Sequence, residues 1–307
     1  AAALADAPDP RAVVMTMGAL HEGHFDLVRE AARRVGSAGT VVVTIFVNPL
    51  QFAPTEDLDS YPRDLEGDLA GLTRTLTGVD GALGVGRLVV FAPTPEVIYP
   101  AEQPAVRIDP GPIATVLEGR TRPTHFAGVC QVVLTLMHLT APRWALFGRK
   151  DAQQLAIIET MVRDLAVPLE IVPVDIRRES DGLAMSSRNA YLSPEQRRQA
   201  LALSRALQAG RDAAAQAAGS GTRPDPAAIR RAALASLEAA DGVETDYVAL
   251  VDPAGFEDLT DAGLGLPRRA PVHEDAGEGL PAVGLLAVAA RVGTTRLIDN
   301  TLIDLHP

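Results

Sequence analysis

The chain has 307 residues, of which 47% are hydrophobic and 22% charged, with a formal net charge of −11. That length suits one large or two medium domains, each able to bury a core, and the balance is that of a globular protein. The surplus of acid opposes nonspecific adhesion to nucleic acid or to anionic membranes, although a phosphate-bearing ligand responds to its own cleft and not to the total.

The opening stretch, AAALADAPDPR, lacks the basic start of a secretory signal. Residues 12–17 (AVVMTM) predict a short buried strand, and 24–35 (HFDLVREAARRV) an amphipathic helix. The β-branched run 40–47 predicts a second strand and 88–93 a third, with a glycine-rich loop at 76–87 before it. A helix is expected over 128–140, a strand over 144–148, a helix over 151–165 and a strand over 169–176. Cys130, in the first of those helices, is the one cysteine, which excludes an internal disulfide and cysteine-based zinc and fits a reducing compartment. Strands alternating with helices predict parallel βαβ units, so a Rossmann-like doubly wound α/β sheet is expected over 1–176.

The pattern then changes. Ser193 and Pro194 open a long helix to about 218, with Ser193 as N-cap and Pro194 in the first turn. Breakers fill 219–226, and a second helix spans 226–240. Strands follow at 245–252, 282–292 and 295–300, with a loop at 268–282. These predict a smaller α+β domain over 177–307. Its longest apolar run, LPAVGLLAVAARVG, falls short of the ~20 residues that span a bilayer. A cytoplasmic protein is expected.

Four segments carry chemistry. In TMGALHEGHFDLV (16–28), His21 and His24 stand three apart around Glu22 and Gly23. Zinc helices of the H-E-x-x-H kind place their histidines four apart, and no nearby cysteine or third histidine completes a set here. A polar, solvated helix start is one reading. The other is an anion site. Ligands of open parallel sheets sit beyond the C-terminal strand ends, where the next helix presents unpaired N–H groups and partial positive charge. Gly23 would let a flat base approach. In FVNPLQF (46–52), Asn48 and Gln51 would project into the same crevice, Gln51 offering both donor and acceptor to a hydroxy acid; a plain turn is the alternative. In FGRKDAQQL (147–155), Lys150 supplies a point charge, Asp151 suits an N-cap or a ribose diol, and Gln154 lies one turn on along the same face. In DGLAMSSRNAYLS (181–193), Ser186, Ser187 and Arg188 are equipped to hold a polyphosphate or to lie in a solvated loop.

TMGALHEGH, FVNPLQF, DLDSYPRD, LEGRTRPTHFAGV, FGRKDAQQL and DGLAMSSRNAYL, in that order, resemble the pantothenate synthetase (pantoate–β-alanine ligase) family, within the nucleotidylyltransferase superfamily that carries an H-x-G-H signature. The resemblance implies ATP-dependent ligation through a pantoyl adenylate, release of AMP and pyrophosphate, a magnesium ion (Mg2+) on the polyphosphate, a homodimer, and a second domain closing over the active site. By motif position, Met17, Gly18, Ala19, Leu20, His21, Glu22, Gly23 and His24 would line the ATP site. His21 and His24 would bind phosphate oxygens, with His24 the proton donor. Gly148 and Asp151 would hold the ribose and Lys150 the phosphates. Met185, Ser186, Ser187 and Arg188 would close over them. Gln51 and Gln154 would bind pantoate, Gln51 also lying near β-alanine. Asp68 is a candidate magnesium ligand and His125 a candidate for the second step. Arg149 stands where the family has Glu or Gln and Arg177 where it has an apolar residue near the adenine, so both are expected to act through their backbone. A nucleotidylyltransferase acting on another small acid, and a non-catalytic nucleotide-binding protein, are the alternatives.

Overall fold

The computed structural model describes residues 6–52, 58, 61–78, 84–260 and 281–306. It divides into two compact units. The first comprises Ala1–Ala114, Gly119–Arg149 and Ile157–Arg177, and the second Thr115–Glu118, Lys150–Ala156 and Arg178–Pro307.

The first unit is built on a parallel sheet of order β3-β2-β1-β4-β5, with β1 at Arg11–Thr16, β2 at Thr40–Ile45, β3 at Arg87–Phe91, β4 at Trp144–Gly148 and β5 at Glu170–Val174. Ala12, Val13, Val14, Val41, Val42 and Val43 are fully buried, because helices cover both faces of a parallel sheet and leave no polar alternation. Helix α1 (Glu22–Val35) lays Phe25, Val28, Ala31 and Val35 against this core at helical spacing. It begins at Glu22, two residues before the predicted start, because His21 caps it.

Helix α2 (Leu65–Leu76) was not predicted. Its sequence, LEGDLAGLTRTL, holds two glycines and two threonines, which weaken local helix preference. Tertiary packing overrides that. Asp64 caps the helix by accepting from the Gly67 N–H at 2.9 Å, Leu72 and Leu76 are buried, and Gly71 lies flush on the Phe25 ring, where any Cβ would overlap it. Helix α3 (His125–Thr140) follows, and α4 (Ala152–Asp164) comes after a 3-10 turn at Arg149–Asp151.

In the second unit, α5 (Pro194–Gly219) and α6 (Pro226–Glu238) pack on the antiparallel sheet β6 (Val243–Val251), β7 (Val283–Val292) and β8 (Thr295–Asp304), joined in that order. Ser193 and Gln196 form a reciprocal capping box at the start of α5. Leu203, Leu207, Ile229, Leu237, Leu250 and Leu286 make the core.

The expected boundary at 176/177 was continuous in sequence, whereas residues 115–118 and 150–156 group with the second unit. Buried polar bonds explain the excursion. Arg296 on β8 grips the Glu118 carboxylate with both terminal guanidinium nitrogens, at 2.6 and 2.7 Å, and the Tyr247 hydroxyl donates to the same carboxylate at 2.9 Å. Gln153 ties the two short segments together, donating to the Val116 carbonyl and accepting from the Glu118 N–H. Burial works against the Arg296 charge, but the Glu118 carboxylate outweighs it and holds the guanidinium above its ordinary pKa.

Of the two loops expected to be long, residues 79–83 and 268–280 lie outside the described residues. Among the described residues no helix is long and apolar enough to cross a membrane.

Two outcomes follow from the packing. Cys130 is fully buried, and burial pushes its thiol pKa up to about 12. Ellman's reagent at pH 8 should therefore find no reactive thiol in the native protein and one after denaturation. Leu286→Ala should cost about 2–5 kcal/mol of stability, read by urea titration, because it opens a cavity that the helices above cannot close.

Candidate active site

The turn from β1 to α1 is held from behind. Gly18 and Ala19 both have left-handed backbone, at φ of 87° and 52°. The N–H groups of Ala19 and Leu20 point inward to Asp68 on α2: Ala19 donates to Oδ2 at 3.1 Å and Leu20 to Oδ1 at 2.7 Å. Asp68 is 4% exposed. A carboxylate so buried, with each oxygen accepting a backbone N–H, fits a buttress for the turn, a role that the expectation of a magnesium ligand did not include. Among the described residues no group of three or more His, Cys, Asp or Glu is placed to hold a metal ion.

Beyond the turn the two histidines cap α1 reciprocally. His21 Nδ1 accepts from the Gly23 N–H at 3.2 Å, and His24 Nδ1 accepts from the His21 N–H at 3.3 Å. Their rings lie 4.1 Å apart. A neutral imidazole whose Nδ1 accepts carries its proton on Nε2, so the cap makes both rings Nε2–H donors. Gly23 is required by the cap itself, since a Cβ there would press on the His21 ring at 3.0 Å.

After β2, Asn48 does not project into a crevice as expected. It is fully buried because all four of its hydrogen-bonding positions are used within the protein. Its Nδ2 donates to Gln51 Oε1 at 3.0 Å and to the Gly128 carbonyl at 3.1 Å, while Oδ1 accepts from the Leu50 N–H and the Tyr99 hydroxyl. Burial pushes the Tyr99 phenol pKa up, which keeps it a donor. The consequence falls on Gln51: with Oε1 accepting from Asn48, its side chain presents the NH2 end. Gly128 makes the approach possible, because a Cβ there would overlap the Leu50 carbonyl. His125 is turned to the same loop. Its Nδ1 lies 3.2 Å from the Gln51 carbonyl and its Nε2 3.2 Å from Arg122 Nη1, so the arginine, which can only donate, fixes the proton on Nδ1. Arg122 also donates to the Gln51 carbonyl. Neither Tyr99 nor Arg122 was singled out from the sequence. Tyr99 had no motif to mark it, whereas Arg122 lay within LEGRTRPTHFAGV.

Arg149 and Arg177 each meet a carboxylate in the first unit. Arg149 Nε lies 3.2 Å from Asp175, and Arg177 Nη1 lies 3.3 Å from Asp26 on α1. The added charge at both positions is thus locally balanced. At Gly148 a Cβ would meet open space. Met17 is half-buried and Glu22 exposed.

In the second unit, Lys150, Ser186, Arg188 and Asn189 line one pocket together with Arg296 and Asp299. Lys150 Nζ lies 3.6 Å from the Asp151 carboxylate. Ser186 Oγ accepts from the Arg188 N–H and caps the 3-10 turn Ser187–Tyr191, which shapes the Ser-Ser-Arg corner. Asn189 Oδ1 is buried there without a hydrogen-bond partner. Met185, Ser187 and Gln154 are half-buried, and Asp151 is exposed.

A 3-2-1-4-5 parallel sheet, with a histidine-capped helix at its switch point and a cationic pocket in the second unit, defines a Rossmann-like α/β enzyme. The family model for pantoate-beta-alanine ligase matches residues 3–302. A pantothenate synthetase of Frankia alni is 53% identical over 94% of this chain and 82% of its own, and one of Streptomyces avermitilis is 46% identical over 94% and 91%. The crystal structure of pantothenate synthetase from Thermus thermophilus superposes with a TM-score of 0.80 at 41% identity, covering 100% of this chain and 98% of that one. The pantoate-beta-alanine ligase of Francisella tularensis, solved in complex with beta-gamma ATP and β-alanine, gives a TM-score of 0.65 at 28% identity over 95% and 89%. The chain belongs to the pantoate–β-alanine ligase family.

The Asp68 assignment has a direct check. Asp68→Asn would set an NH2 group against one of the backbone N–H donors. It should cost about 1–3 kcal/mol in denaturant titrations run with chelator and without nucleotide. Stability unchanged under those conditions would argue against the buttress.

Proposed function

We propose that the protein joins pantoate to β-alanine at the expense of ATP, through a pantoyl adenylate. In the first half-reaction a pantoate carboxylate oxygen bonds to the α-phosphorus as the bond to the bridging oxygen breaks, and pyrophosphate leaves. In the second, the β-alanine amine attacks the activated carbonyl, the amide forms, AMP departs with the bonding pair, and the amine gives up a proton. The order is required because a carboxylate oxygen leaves poorly until it is adenylated.

The observation that carries the reading is the reciprocal His21–His24 cap, which supplies two Nε2–H donors at the start of α1. Directed imidazole donors at the positive end of a helix are suited to phosphate oxygens, where charge grows during transfer. On this reading His24 donates to the phosphates and His21 braces it. Met17 to His24 line the nucleotide, and Gly148 and Asp151 take the ribose. Arg149 and Arg177 are assigned backbone contacts, their side chains being paired with Asp175 and Asp26. Lys150, Ser186, Ser187 and Arg188 hold the polyphosphate. The Gln51 NH2 end, fixed by Asn48, binds pantoate with Gln154 and lies near β-alanine. Magnesium would be carried by phosphate oxygens, and no step passes through a protein-held metal. A cytoplasmic homodimer is the proposed working form.

Isotope exchange between pyrophosphate and ATP, with pantoate present and β-alanine absent, tests the reading. Exchange that requires pantoate is expected. Exchange only with another acid would favour a different adenylate-forming enzyme, and none at all a binding protein. Lys150→Ala should lower pantoate-dependent exchange by on the order of a hundredfold or more with an unchanged circular dichroism spectrum. Near-normal exchange would remove Lys150 from the mechanism.

A further inference from the structure

We propose that Asp299 and Asn300, neighbours on β8, are positioning residues for adenylate formation. They set the spacing between Lys150 and the Ser186–Arg188 turn. This rests on the ligase reading above and adds to it residues more than a hundred positions away in sequence.

Two chains of hydrogen bonds start from this dipeptide. Along one, Asn300 Nδ2 donates to the Lys150 carbonyl at 2.8 Å, which fixes the backbone from which the lysine side chain springs. Along the other, Asp299, 3% exposed, takes the Arg178 guanidinium bidentately at 2.7 and 3.0 Å. Arg178 also donates to the Gly182 carbonyl at 3.1 Å and forms a β-bridge with Ala184. That closes a hairpin over 178–184. Asn189 then clamps the next turn back onto that hairpin, donating to the Ala184 carbonyl at 3.0 Å and to the Glu179 carboxylate at 2.7 Å. Residues 186–188 lie inside the clamp. The two chains are locked together at their origin, where the Asn300 N–H donates to Asp299 Oδ1 at 2.8 Å.

A buried aspartate with a bidentate arginine can be a structural pair and nothing more. Here one chain ends on the Lys150 backbone and the other on Asn189, the residue that follows Ser186–Arg188, and Lys150, Ser186, Arg188 and Asp299 wall one pocket. Asp299 is already engaged by Arg178 and by the Asn300 N–H, so its part is geometric and not that of a counter-ion to Lys150. A displacement of about 1 Å at such groups costs on the order of a hundredfold in rate.

Asn300→Asp, nearly isosteric, sets an acceptor against the Lys150 carbonyl. Pantoate-dependent exchange should fall by on the order of tenfold to a hundredfold with a raised KM for ATP. Conversion of supplied pantoyl adenylate and β-alanine to pantothenate should proceed at the wild-type rate, since no polyphosphate is handled. Arg178→Lys, at a partly exposed site, loses the fork and should show the same split more mildly; it decides the matter if Asn300→Asp does not fold. Wild-type exchange in both variants, or equal loss in the two half-reactions, would overturn the proposal. Absence of pantoate-dependent exchange in the unaltered protein would instead overturn the ligase reading, and this inference with it.

Discussion

The reciprocal cap between His21 and His24 is the interaction that decides which side-chain donors the first unit presents at the start of α1. A helix start leaves N–H groups without partners, and proteins usually satisfy them with a hydroxyl or a carboxylate. Here imidazoles do it, and the choice has a chemical consequence. By accepting at Nδ1, each ring is committed to one tautomer and becomes a donor at Nε2. The cap in turn depends on the turn before it. Gly18 and Ala19 are both left-handed, and Asp68 takes the Ala19 and Leu20 N–H groups from behind. A helix with weak intrinsic preference is retained where it delivers that carboxylate.

The same economy recurs around Asn48. An amide in a fully buried position is costly unless each donor and acceptor is met, and all four are. Satisfying Asn48 also orients Gln51, because an amide that receives a hydrogen bond on its oxygen must turn its NH2 elsewhere. Gly128 and Tyr99 serve this arrangement by shape and by hydroxyl. Both bear on the Gln51 amide through the Asn48 side chain.

The second unit solves a different problem. Its antiparallel sheet and two long helices make an ordinary apolar core, but β8 carries polar residues that reach back to short segments from distant parts of the chain. Arg296 holds Glu118, burial and the adjoining carboxylate keep the Tyr247 phenol protonated, and Asn300 holds Lys150. A buried ion pair adds little net stability over an apolar replacement of the same volume. Here the bonds join β8 to segments far off along the chain.

Much of this was legible in the residues. Period-two and period-3.6 patterns, β-branched runs and the Ser193-Pro194 cap depend on local physics, so the strands of both sheets and helices α1, α3, α4, α5 and α6 could be placed from them. The ordered motifs likewise identified the family, because chemistry restricts residue types at short spacing. Helix α2 escaped because its glycines and threonines weaken local preference, whereas the Phe25 ring on which Gly71 packs lies far off along the chain. Asn48 was expected to project into a crevice and is buried instead, because a polar residue in a motif looks the same whether it faces a ligand or a backbone N–H. By itself the sequence determined which segments form helices and strands, and which residue types are available for phosphate and acid chemistry. Only the tertiary structure decided which of those side chains are consumed in holding others, because buried polar groups must find partners and those partners lie far off along the chain.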